Sequence, residues 1–257
     1  MSADVPTNVT KTRLLGGRVT CYQPKRGYRT AVDAVLLAAC VPAEVDQRIL
    51  DIGTGAGASA FCLAARVEGA KVTGLELQRP LATLAERGVE ANGYQSRIEI
   101  IAGDLLEPPE CLAPASFDHV MANPPYVKAG KGNPPPDPVK ALAMVEGRAK
   151  LIDWLTFAAA MVKPKGSITI IHRAERGDEV VSGLAANGCG AIEMLPVAPK
   201  SDGVAKRTVV RAWKDKKGET LTHTALVLHV DLDAGNGHRR AYTEVAESVL
   251  RGAESLL

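Results

Sequence analysis

The 257-residue chain is poor in aromatic residues, at 4%, and has no long hydrophobic run. Its longest apolar stretches, Ala34–Ala43 and Leu151–Val162, fall short of the ~20 residues that cross a bilayer, and Asp153 interrupts the second. No membrane partner is expected. The N-terminal stretch MSADVPTNVTKTR lacks the basic-then-apolar order of a secretory leader, so a cytoplasmic location is expected. An excess of one charge is missing too. Lys and Arg number 31 against 29 Asp and Glu, and the net charge of +2 does not by itself call for nucleic acid. The five cysteines, Cys21, Cys40, Cys62, Cys111 and Cys189, are odd in number and never form a C-x-x-C pair. That argues against a disulfide framework and a structural zinc site, and no metal is expected. Cys40 and Cys62 sit in small apolar runs and read as buried thiols of a reducing compartment.

What is present is a β-α alternation. Arg48–Ile52, Lys71–Glu76, Arg97–Ala102, Phe117–Ala122 and Ser167–His172 read as strands. Helices are predicted over about 58–68, 79–92, 139–162 and 178–187 between and after them. Ala191–Val197, Thr208–Trp213 and Leu226–Val230 are further strands without intervening helices, so at least one antiparallel pair is expected there. Thr243–Arg251 is a candidate terminal helix. Ahead of the first β-α unit, residues 1–13 are expected to fray, Arg18–Gln23 to form a strand, and Thr30–Cys40 a helix capped by Thr30. The pattern predicts an α/β fold: a doubly wound, mostly parallel seven-stranded sheet with an antiparallel C-terminal strand. Residues 1–47 are expected to pack on the site as an N-terminal strand and helix, and 48–257 to form the main domain.

The first chemical signal is Asp51-Ile52-Gly53-Thr54-Gly55-Ala56-Gly57. Glycines at alternate positions between a strand and a helix allow a tight turn and a close ligand approach. Glu76 ends the next strand, where an acid accepts hydrogen bonds from ribose hydroxyls. The spacing is G-x-G-x-G rather than the dinucleotide G-x-G-x-x-G, and an Asp precedes it. That carboxylate would repel a pyrophosphate and suits a cationic ligand, which favours S-adenosylmethionine. Asp104 closes the third strand and can accept from an adenine amino group, with Leu105 packing on the ring; a turn-capping role is the plainer reading of Asp104.

The second signal is Asn123-Pro124-Pro125-Tyr126 after the fourth strand, at the sheet edge where open α/β sheets bind ligands. The amino nitrogen of adenine is a poor nucleophile because its lone pair is delocalised. Two acceptors aimed at its hydrogens, the Asn123 side-chain oxygen and the Pro124 carbonyl, would localise that lone pair. Pro125 pre-sets the backbone, and Tyr126 offers a face to an extruded base. The proline-rich stretch Lys128–Pro138 follows and reads either as a surface loop or as a substrate lid. His172 ends the fifth strand, where a structural role is the plainer reading.

DIGTGAG, GLELQ, GDLLE and NPPY, in this order, resemble the class I (Rossmann-like) S-adenosylmethionine-dependent methyltransferases that modify planar amino or amide nitrogens. Gln23–Ala39, NPPY, Lys206-Arg207-Thr208, Leu228-His229 and Tyr242-Thr243 resemble more narrowly the bacterial tRNA adenine-N6 methyltransferases, whose substrate is the adenosine 3′ to the anticodon of a valine tRNA. The resemblance implies N6-methylation of tRNA adenosine at position 37, with S-adenosylhomocysteine as product. It implies a cofactor set of Thr30, Asp33, Asp51, Gly53, Gly55, Gly57, Glu76, Leu77, Asp104, Leu105 and Asn123, and a catalytic set of Asn123, Pro124, Pro125 and Tyr126. Thr30 and Asp33, with Arg29, resemble the element that closes over the methionine end of the cofactor. They are equally well explained as helix-cap residues. Arg29, Lys128, Lys131, Lys206 and Arg207 are the expected RNA contacts, with Lys25, Arg26, Lys214, Lys216 and Lys217 as further basic candidates. A monomer or homodimer is expected. Protein glutamine-N5 methylation and rRNA or DNA adenine-N6 methylation stay open as alternatives. A nicotinamide-dependent dehydrogenase would leave NPPY unused, and intact Asn123 and Asp51 speak against a non-catalytic RNA-binding relic.

Overall fold

The computed structural model describes residues 8–25, 32–126, 146–201, 203–232 and 239–257. Arg26, Arg29, Thr30, Lys128 and Lys131, and with them the whole 128–138 stretch, lie outside the described residues.

The chain opens on a hairpin of β1 (Val9–Leu14) and β2 (Val19–Pro24). β1 corrects the expectation of a frayed start. Its residues alternate in exposure (VTKTRL), and its pairing with β2, rather than a hydrophobic run, makes it a strand. Helix α1 (Val32–Cys40) follows, with eight of its nine residues buried.

The β-α units come next: β3 (Arg48–Ile52), α2 (Ala58–Arg66), β4 (Lys71–Glu76), α3 (Arg79–Asn92), β5 (Ile98–Ala102) and β6 (Phe117–Ala122). Then come α4 (Leu151–Met161), β7 (Val162–Arg173), α5 (Gly177–Ala186), β8 (Cys189–Lys200) and β9 (Arg207–Lys214). α4 starts at Leu151, later than the periodicity suggested. The Asp153 carboxylate accepts from the Lys150 backbone N–H at 2.7 Å, which fixes that end.

The sheet runs β5-β4-β3-β6-β7-β9-β8, parallel except for β9, which is antiparallel to both neighbours. These are the seven expected strands. The sheet continues past them to ten: β10 (Leu221–Thr222) and β11 (Leu226–Leu232) pair parallel with successive parts of β8, and β12 (Arg239–Tyr242) returns antiparallel on β11. A short α6 (Glu244–Glu247) follows, and the Thr243 hydroxyl accepts from the Ala246 N–H to cap it.

Both faces of the sheet are covered, as near-continuous apolar strands require. Ile49, Met121, Ile171 and Val209 face a core shared with α1 and α2, while Leu50, Val120, Ile170 and Val210 face one shared with α4 and α5. The one-residue alternation is the strand period sorting side chains to opposite sides. On the first face the Phe61 ring of α2 lies where side chains at Gly57 and Gly88 would otherwise stand, so α2 approaches α3 through the missing methyl group of Gly88, while Gly57 leaves room for the ring at the start of α2 itself. Among the described residues no helix is long and apolar enough to cross a membrane.

Candidate active site

The carboxyl ends of β3, β4 and β6 open into one cavity. Of the residues singled out from the sequence, it gathers Asp51, Gly53, Gly55, Glu76, Leu77, Asp104, Leu105, Asn123, Pro124, Pro125 and Tyr126. Parallel strands deliver these together because their carboxyl ends share an edge, and the adjacent registers of β3 with β4 and β6 bring the turns side by side.

The floor is acidic. Asp51 is 2% exposed and accepts from the Thr54 hydroxyl at 2.6 Å. Burial, with Glu76 nearby, raises its carboxyl to about 7. Glu76 is 5% exposed, and burial pushes it up as well. Its two oxygens accept one backbone N–H each, from Gly55 and Gln78, both at 2.8 Å. Each oxygen keeps a further lone pair, so the carboxylate is oriented and still able to take two hydroxyls.

The glycines of the turn divide by role. Gly53 has φ +65°, and a Cβ there would stand 2.5 Å from the Trp154 ring. Gly55 has φ +58° and open space where a Cβ would be, which leaves room for a ligand against its backbone. Gly57 does not line the cavity. Its φ of +86° and the Phe61 ring are sufficient reason for a glycine there.

Trp154 of α4, which the sequence reading did not single out, lines the cavity, and its indole Nε1 is buried without a hydrogen-bond partner among the described residues. The only sequence signal was an aromatic in an aromatic-poor chain. Gln23 and Ala34 also line the cavity, so β2 and α1 reach it.

Asp104 serves both readings. It lines the cavity, while its Oδ1 accepts from the Leu106 N–H at 2.9 Å to hold the turn, and exposed Arg148 stands 3.6 Å from its Oδ2.

Asn123 leaves β6 at the cavity wall, and Pro124 and Pro125 follow. His172 ties this turn to β7. Its Nδ1 accepts from the Arg173 N–H at 2.9 Å, which places the proton of the neutral ring on Nε2, 3.4 Å from the Pro125 carbonyl. Burial holds the imidazole down to about 4, so it is neutral when it donates.

Tyr126 differs from its expectation as an open stacking platform. It is 7% exposed, its hydroxyl donates to Asp33 Oδ2 at 2.8 Å, the His172 ring meets it edge-on at 5.2 Å, and the Arg207 guanidinium lies 4.6 Å from its ring centre. Asp33 is therefore engaged with Tyr126 and, through Arg207 Nε at 3.1 Å, with β9; it does not line the cavity. Its described bonds go to Tyr126 and Arg207. The second of these removes Arg207 from the freely exposed basic residues. Lys206 beside it is exposed. Of the other basic candidates, Lys214 donates to the Asn187 carbonyl at 2.8 Å, and Lys216 lies over the Trp213 ring.

Two oriented, buried carboxylates, a glycine turn with free space at Gly55 and an unpartnered indole N–H fit a nucleoside with a cationic tail, as S-adenosylmethionine is. Among the described residues no group of three or more His, Cys, Asp or Glu stands close enough to hold a metal.

Comparison with known proteins agrees with this geometry. Residues 30–136 match the methyltransferase small domain family. The chain is 29% identical over 211 residues to a tRNA1(Val) (adenine(37)-N6)-methyltransferase of Bacteroides thetaiotaomicron, covering 80% of this chain and 87% of that one. A crystal structure of a predicted O-methyltransferase from Agrobacterium tumefaciens superposes with a TM-score of 0.69 at 26% identity, covering 87% of this chain and 98% of that one. Geranyl diphosphate C-methyltransferase of Streptomyces coelicolor, solved with S-adenosyl-L-homocysteine, shares the fold at a TM-score of 0.52 and 13% identity, covering 71% of this chain and 78% of that one. The fold is that of the class I methyltransferases.

Proposed function

We propose that the chain is an S-adenosylmethionine-dependent methyltransferase acting on the N6 amine of an adenosine in tRNA, at position 37 of a valine tRNA. The observation that carries this reading is the convergence of the Asn123-Pro124-Pro125 turn and the buried pair Asp51 and Glu76 on one cavity. A transferable group and a planar amine can therefore meet there.

Asp51, Glu76, Asp104, Leu77 and Leu105, around the Gly53–Gly55 turn, are the residues that would hold the cofactor. When bound, S-adenosylmethionine supplies an electrophilic methyl and leaves as S-adenosylhomocysteine. Glu76 accepts the ribose hydroxyls, and Asp51 favours the cationic tail. The Asn123 side-chain oxygen and the Pro124 carbonyl accept from the target amine and draw its lone pair out of the ring. His172, donating to the Pro125 carbonyl, keeps this turn from rotating. No strong base is needed, because the nitrogen sheds a proton readily once it carries the new methyl group. The sequence likeness to the tRNA adenine methyltransferase of Bacteroides supports tRNA over protein or DNA as substrate. Exposed Lys206, just ahead of β9, is the described basic residue that we assign to the RNA backbone.

The test is transfer of labelled methyl to bulk tRNA, total protein and DNA in parallel, followed by nucleoside mass spectrometry. N6-methyladenosine in tRNA is expected. Label confined to protein would replace this reading with glutamine-N5 methylation.

A further inference from the structure

Tyr126 lines the cavity, whereas Arg207, Asp33 and His172 do not. All three nevertheless touch Tyr126. They come from three different elements: Asp33 from the first turn of α1, His172 from β7 and Arg207 from the first residue of β9. The ring thus lines the cavity while three residues that do not line it hold it in place.

We infer that Asp33 and Arg207 are positioning residues for Tyr126. They lock its ring as one wall of the target-base pocket, so that α1 and β9 act on base capture rather than on cofactor or phosphate binding. This rests on the adenosine reading above.

The argument is one of connectivity. Tyr126 follows two prolines, which restrict the backbone but leave the aromatic χ angles free. A ring that must hold a planar base needs those angles fixed before the base arrives. Asp33 Oδ2 does this by accepting from both the phenol and Arg207 Nε, at 2.8 and 3.1 Å. Arg207 then closes the triangle by laying its cation over the ring. Asp33 is 8% exposed. The arrangement is a closed three-sided contact in which each member holds the other two.

The experiment compares D33N, Y126F, R207A and R207K, with the D33N/R207A double variant. S-adenosylmethionine affinity is measured by calorimetry, kcat and KM on tRNA by methyl transfer, and the Tyr126 ring by NMR of ζ-13C-tyrosine, with Y126F assigning the signal. D33N and R207A are expected to lower kcat/KM at least tenfold and leave cofactor affinity within threefold. The double variant is expected to be no worse than the poorer single variant, and R207K to recover part of the loss. Both single variants are expected to move the Tyr126 resonance without any substrate present. A tenfold loss of cofactor affinity in D33N would return Asp33 to the cofactor site and overturn the inference. So would an R207A variant that loses tRNA affinity and salt dependence but keeps its kcat, the signature of a phosphate contact. The NMR readout keeps the two claims separate. Should the wild type methylate no tRNA, the functional reading falls, while a resonance unmoved in both variants would overturn the locking itself.

Discussion

Asp51 and Glu76 end adjacent parallel strands, both are buried, and neither has a cationic partner among the described residues. Their charges are met by the Thr54 hydroxyl and by backbone N–H groups, those of Gly55 and Gln78 among them. Such a pair is costly when the cavity holds no cation, and each raises the other's demand for a proton.

The cost has a sign in pH. The Asp51 carboxyl, raised by burial to about 7, keeps its proton in the folded chain across a window in which the unfolded chain has released it. Folding stability therefore declines as pH rises from about 4 to about 7 and levels off above that. Asp51→Asn removes the titration while still accepting from Thr54. It is expected to raise Tm over wild type by roughly 3 °C or more at pH 8, and by less at pH 5. The same variant is expected to bind S-adenosylmethionine at least tenfold more weakly at pH 8. His119 and His172, which burial holds near 4, titrate alike in both proteins, so the difference reports Asp51 together with its coupling to Glu76. An equal Tm offset at both pH values would sink the argument.

Binding and chemistry are expected to separate at Glu76 and Asn123. Glu76→Gln weakens cofactor binding by roughly tenfold to a hundredfold, on the order of 1.5–3 kcal/mol for a charged acceptor. Asn123→Ala leaves cofactor affinity within threefold and lowers kcat by roughly a hundredfold or more. Calorimetry with single-turnover methyl transfer checks both. Unchanged turnover in Asn123→Ala would remove that side chain from the reaction.

The two turn glycines are expected to fail differently. Gly53→Ala drives a methyl into the Trp154 ring, 2.5 Å away, and must displace α4 or the indole. Gly55→Ala meets nothing within 4 Å and carries about 1 kcal/mol of left-handed strain, but it fills the space left for the ligand. Thermal melting is expected to single out Gly53→Ala, and cofactor titration to show a loss in Gly55→Ala that its melting does not explain. Identical melting curves would show that Trp154 yields freely.

Arg176 and Glu146 form an ion pair at 2.6 Å with side chains 7% and 8% exposed, and Arg176 also bonds Glu179. Removing Arg176 strands the buried Glu146 carboxylate, whereas removing Glu146 leaves Arg176 its bond to Glu179. Arg176→Met is expected to cost about 3–5 kcal/mol, Glu146→Gln less, and the double variant less than the sum. Chemical denaturation of the four proteins closes the cycle, and simple additivity would show that the pair is not coupled.

The strand ends that carry Asp51, Glu76, Asp104 and Asn123 were legible because each lies one step past an apolar run, a local signal. The strands β3, β4 and β6 also matched their expected bounds residue for residue. What the sequence hid depends on distant partners. β1 is a strand only through β2, and the two-residue β10 only along β8. Trp154 reaches the cavity because α4 packs under Gly53, a contact across a hundred residues of chain. Asp33 carried a helix-cap signal and a cofactor resemblance, and neither foretold its bond to Tyr126, 93 residues away.

The Phe61 ring seated against Gly57 and Gly88 makes three positions on two helices behave as one in sequence variation. A side chain at 57 or 88 has no room while 61 is aromatic. Relatives carrying alanine or serine at 88 should carry a smaller residue at 61, and relatives with phenylalanine there should keep both glycines, position 57 favouring glycine for its φ of +86° in any case. In this chain the Gly88→Ala variant should regain lost stability when Phe61→Leu is added, so that two individually harmful changes are tolerated together.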